Sequence, residues 1–141
     1  KDTVEALKDV RARLGDKLRV VFRHHTTTDE AMFAALALEA AAAQGRFREM
    51  HEALVRSPDP IDEDSVAAIA QNLGLDVERF SERLHRALDR NRVEDDNFDA
   101  RAAELPTTPV LFAQGKRVTA APSAGHLIEI LAKAIADGPR S

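Results

Sequence analysis

The chain has 141 residues, 44% of them apolar, and sets 20 basic against 24 acidic side chains for a net charge of −4, the profile of a folded domain rather than a tail or fibre. Cysteine is absent, which excludes a disulfide framework, a thiolate nucleophile and any cysteine-ligated metal centre within it. Arginine and glutamate alternate instead of forming blocks, so no basic field marks a nucleic-acid partner, and no apolar run approaches the ~18 residues of a membrane span.

The first element in chain order is an amphipathic helix, because Val4, Leu7, Val10 and Leu14 recur at helical spacing and Gly15 follows where a left-handed cap would sit. The segment KLRVVFRH then concentrates Val20, Val21 and Phe22 in a run too short for a helix and predicts a buried strand. Thr28 or Asp29 is placed to cap the next helix. Its Met32, Phe33, Ala35, Leu36 and Leu38, with the alanine tract, leave little polar face, so it belongs inside. Gly45 interrupts it, and Phe47, Met50, His51, Leu54 and Val55 mark a shorter helix that stops at SPDP.

Beyond that loop, Val66, Ile69, Ala70 and Leu73 predict a helix ending at Gly74. Asp76 is placed to cap another, carrying Val77, Phe80, Leu84 and Leu88 on one side, and a strongly charged helix spans roughly Asn91 to Glu104. The pattern then changes. VLFA, a Gln114-Gly115 turn and KRVT read as a β-hairpin, after which Ser123 caps a last helix bearing Leu127, Ile128, Leu131 and Ile135 and ending at Gly138-Pro139. No internal repeat is present, and the charge-rich runs RARLGDKLR and RFREMHEALVR read as solvated helix faces.

In this order, three stretches carry a family resemblance: LGDKLRVVFRHH, AAAAQGRFREMHEALV and RVEDDNFDARAAELPTTPVLFAQGKRV. The chain resembles the DsbA-like thiol–disulfide oxidoreductases over nearly its whole length. The resemblance implies an α/β fold, thioredoxin-like with a helical insertion. Residues 1–28 and 105–141 would form the thioredoxin core and residues 29–104 the mainly helical insertion.

The same resemblance gives the stretch LPTTPVLF a meaning. The family carries a proline in cis at the head of its β-hairpin, and Pro109 stands at that position. An X–Pro bond accepts cis at about 0.5–1 kcal/mol. Such a bend would free the backbone of Thr108 to pair with an extended peptide or protein substrate, much as peptide binders add a strand to an open edge. Read from the residues alone, Pro109 can also begin an edge strand in trans. Thr107 stands where the family often has Gly or Ser, which crowds this substrate-facing turn. Arg48 stands where an aromatic is common. His24 occupies a place near the implied functional face and is expected to support it indirectly.

No metal and no cofactor is expected. His24 and His25 are adjacent on a predicted strand and so point to opposite faces, which sets them apart as ligands even with Asp29 near, and His51 reads as a structural helical histidine. The departure from the family lies in the chemistry. Its Cys-X-X-Cys motif belongs just before Lys1, together with the first strand of the fold, and neither is in this sequence. Without that central strand, RVVF and PVLF have no mutual neighbour, so an upstream segment is expected to supply it. Thiol–disulfide exchange needs a thiolate, so the chain as given is redox-silent. Two readings remain: an oxidoreductase whose cysteines lie upstream, or a non-catalytic peptide- or partner-binding module fused to a larger protein. Members of the family are often exported, but no leader identifies a compartment, and both periplasmic and cytoplasmic placements stay open.

Overall fold

The structure is a computed structural model that describes residues 2–106, 108–118 and 123–138. Among these residues the helices are α1 (Asp2–Leu14), α2 (Asp29–Ala42), α3 (Phe47–Arg56), α4 (Glu63–Asn72), α5 (Val77–His85), α6 (Arg90–Ala102) and α7 (Ala124–Ala136). A hairpin of β1 (Leu111–Ala113) and β2 (Lys116–Val118) lies before α7, and a short 3-10 turn at Gly15–Lys17 follows α1. The chain divides into two compact units, Arg23–Glu104 and the pair of segments 1–22 and 105–141.

In the unit Arg23–Glu104 the helices begin where the sequence offers oxygen acceptors to their unpaired first-turn amides. Thr28 Oγ1 accepts from the Ala31 amide at 3.1 Å, and Asp76 Oδ1 accepts from the Arg79 amide at 3.1 Å. Asp62 caps α4 reciprocally: its carboxylate accepts from the Ser65 amide at 2.9 Å while Ser65 Oγ accepts from the Asp62 amide at 3.0 Å. Helix α2 is the axis of this unit. Every residue from Ala35 to Ala41 is buried, because small alanines let α3, α5 and α6 approach closely around it. Met50, Val66, Phe80 and Val93, one from each of the four later helices of the unit, join the same buried cluster and are almost completely enclosed. Leu88, expected on the apolar side of α5, lies beyond that helix's end and is half exposed, since Ala87 takes a left-handed φ of +46° and turns the chain.

The other unit is built on α1 and α7, whose Ala6, Val10 and Leu127 form a small buried cluster with Leu7, Leu18, Leu111 and Leu131 at its margin. The hairpin is antiparallel, with Leu111 opposite Val118 and Ala113 opposite Lys116. Its turn has Gln114 at φ +50° and Gly115 at φ +76°, the two left-handed residues that a two-residue hairpin loop demands. Ser123 Oγ caps α7 by accepting from the His126 amide at 3.2 Å.

The segment Leu18–Phe22, expected as a buried strand, is corrected by the structure. Leu18 is extended, but among the described residues the sheet has two strands, β1 and β2, and this segment pairs with neither. A strand is defined by its ladder, and no ladder partner is present here. Its burial alternates instead of being complete: Leu18, Val20 and Phe22 are half-buried while Val21 is 62% exposed.

Candidate functional site

The most heavily constrained polar region lies where the chain runs from Arg23 into α2. His24 is buried, and its amide donates to Asp96 Oδ2 on α6 at 2.9 Å. Two residues on, the Thr26 amide donates to Asn97 Oδ1 at 2.7 Å, and Asn97 Nδ2 donates to Thr26 Oγ1 at 2.6 Å. Consecutive side chains of α6 thus accept from the amides of two alternate residues of this segment.

The side chains continue the pattern. His24 Nε2 lies 2.7 Å from Oε1 of Glu39, itself buried in the middle of α2. An ionised carboxylate accepts only, so with Glu39 charged the imidazole donates. The same oxygen receives Arg92 Nε at 3.0 Å, and this hydrogen bond, with the Coulombic attraction of Glu39, raises the Arg92 pKa. Arg23 donates to Asp96, and its Nη2 lies 2.6 Å from Asp99 Oδ2. Asp99 first, then Asp96, raises the guanidinium pKa. Each buried acid thus meets an arginine, Glu39 with Arg92 and Asp96 with Arg23. The His24 ring also tilts at 56° to Phe47, 6.2 Å away, and Phe47 stacks on His51. Burial lowers the His51 pKa; Glu52 opposes that shift and His24 adds to it.

Beside this network opens a cleft of 630 Å³, with Thr26 and Thr27 on one side, Met32 and Phe33 on the floor, and Arg90 and Arg101 of α6 opposite. Its size is that of a small-molecule or peptide-side-chain site.

Of the residues singled out from sequence, His24 lies in the unit Arg23–Glu104, while Thr108 and Pro109 lie in the other. Thr108 and Pro109 are both exposed, and the peptide bond joining them is cis. Thr107 is outside the described residues. Among the described residues no group of three or more His, Asp or Glu side chains is arranged to hold a metal ion. Glu39, Arg92, Asp96 and Asn97 were not anticipated. The one signal was local: an acid within an alanine-rich apolar helix requires a buried partner.

The family model for the DSBA-like thioredoxin domain matches residues 1–134. A protein named Na(+)/H(+) antiporter NhaA 1 from Mycolicibacterium gilvum is 40% identical over 131 residues, covering 89% of this chain and 21% of that protein. The protein of the same name from Mycobacterium sp. (strain KMS) is 37% identical over 131 residues, with the same coverage. Na(+)/H(+) antiporter NhaA from Herminiimonas arsenicoxydans is 37% identical over 110 residues, covering 78% of this chain and 18% of that protein. The chain therefore spans about a fifth of the length of the curated relatives it matches. No described helix is long and apolar enough to cross a membrane. With its helical body, its hairpin and its match to the family model, the chain has the α/β thioredoxin-like fold and belongs to the DsbA-like thioredoxin domain family.

Proposed function

We propose that the chain is a non-catalytic thioredoxin-fold module of a longer protein, binding an extended peptide or partner segment against Thr107, Thr108 and Pro109. The observation that carries this reading is the exposure of Thr108 and Pro109 on a chain whose 141 residues offer no cysteine to add thiol chemistry to that surface. The family's reaction needs a thiolate to attack a disulfide sulfur, and no other side chain replaces it. His24 is assigned an indirect, supporting role, as the family resemblance implies. The relatives' names support a fusion: in proteins called Na(+)/H(+) antiporters the matching region is about a fifth of the whole. On this reading the module accompanies an ion-transporting body.

The second reading, favoured by the family match itself, is an oxidoreductase in which residues outside this sequence supply the Cys-X-X-Cys motif. Two measurements test the binding reading on the chain itself, and a third, on the longer protein, separates the two readings. Insulin reduction by the 141-residue chain should stay at background; turnover would overturn the first reading. Titration of the 15N-labelled chain with extended peptides should shift the Thr108 amide, and Thr108→Arg should abolish that shift. Insulin reduction by the longer protein carrying this chain would select the second reading.

A further inference from the structure

Helix α5 carries Arg79 and Arg83 at i and i+4, and Arg86 caps its C-terminus at i+7, a spacing that brings three guanidiniums to one side of the helix. They border a concavity of 270 Å³ whose opposite wall is the end of α2, formed by Ala40, Ala43 and Gln44. Both walls are fixed. Gln44 Oε1 accepts from the Asp76 amide at 2.9 Å while its Nε2 donates to the Asp76 carbonyl at 3.1 Å, tying α2 to the start of α5.

Arg83 is also held in place: its Nε and Nη2 each donate to Asp89 at 2.7 Å, which leaves Nη1 outside that pair. The hydrogen bond to Asp89 raises its pKa, so it keeps its charge. Arg86 Nη1 reaches Glu82 at 3.1 Å across the exposed helix surface, and Glu82 is the one carboxylate in the lining. Arg79 is exposed and makes no ion pair among the described residues. Three guanidiniums thus border one concavity, Arg83 paired with Asp89 and Arg86 with Glu82, and Arg79 is the cation there that no carboxylate balances among the described residues.

We infer that this concavity binds a phosphate-type oxyanion, with Arg83 as the fixed donor and Arg79 and Arg86 closing on it from either side. Planar guanidiniums match the several acceptor oxygens of such an anion, and charge-assisted hydrogen bonds are the strong ones. The volume lies just below the range of drug-sized ligands, which suits a small anion or a single headgroup. Free phosphate and the phosphodiester of an anionic lipid present the same chemistry.

The test uses the full 141-residue chain, titrated with inorganic phosphate against chloride at matched ionic strength and read at the arginine Nε–Hε resonances. Saturable shifts are expected at Arg79, Arg83 and Arg86. The double variant Arg79→Gln, Arg86→Gln should bind at least about tenfold more weakly with an unchanged urea midpoint. The variant Arg11→Gln, Arg13→Gln serves as the control and should bind as wild type. Sedimentation with phosphatidylglycerol vesicles, against phosphatidylcholine vesicles, separates the sources. Retention that phosphate competes away and the double variant lacks assigns a lipid headgroup; phosphate binding without retention assigns the free anion. Absence of saturable shifts, or shifts unaffected in the double variant, would overturn the inference.

Discussion

The helical unit and the unit built from α1, α7 and the hairpin hold themselves together by different means. In the first, thirteen buried residues from five successive helices and Leu75 from the turn before α5 form one cluster. In the second, the corresponding cluster among the described residues is Ala6, Val10 and Leu127. Helices satisfy their own backbones and need only one apolar face covered, so a run of them can close a core among sequence neighbours. The other unit brings together distant parts of the chain, and its segment Leu18–Phe22 has no ladder partner among the described residues. Fewer side chains are therefore drawn to one place.

The largest expected effect tests this contrast directly. Phe80 is almost completely buried, and Phe80→Ala should destabilise the helical unit by about 3–5 kcal/mol in urea unfolding followed by circular dichroism. Leu127→Ala, at the centre of the smaller cluster, should cost less, near the lower end of the 2–5 kcal/mol typical of leucine truncations. A greater loss from Leu127→Ala would reverse the ranking of the two cores.

Next in size is the charge network of the helical unit. Glu39→Ala should cost about 2 kcal/mol, since it strands His24 Nε2 in a buried site and leaves Arg92 without its acceptor. Glu39→Gln retains an acceptor and should recover part of the loss, measured by the same urea midpoints.

The smallest effect is a pH dependence. Burial lowers the pKa of His51 from its ordinary 6.5, so the unfolded chain takes up that proton more readily than the folded one. The contribution is constant above 6.5 and stability is lost as pH falls from there toward the folded value. The variant His51→Asn should therefore lose less of its urea midpoint than wild type between about pH 7.5 and about pH 5.

Sequence reading reached what is decided locally. The helices announced themselves by apolar spacing, Thr28, Asp76 and Ser123 by their capping chemistry, and the hairpin by Gln114-Gly115. Asp62 escaped because its capping partner is a serine rather than a glutamate. What stayed hidden depends on residues far apart in the chain. The ties of His24 to Asp96 and of Thr26 to Asn97 span more than seventy residues, and nothing in either segment names the other. The strand expected at Leu18–Phe22 failed for the same kind of reason: β-branched composition marks a capacity for pairing, and pairing requires a second backbone.

The paired acid and amide at positions 96 and 97 have one more consequence. The boundary between the two units falls after Phe22, and within four residues of that crossing the main chain is clamped twice to a single helix. The polypeptide is thus fixed at two successive polar ties to α6 just ahead of the capped start of α2.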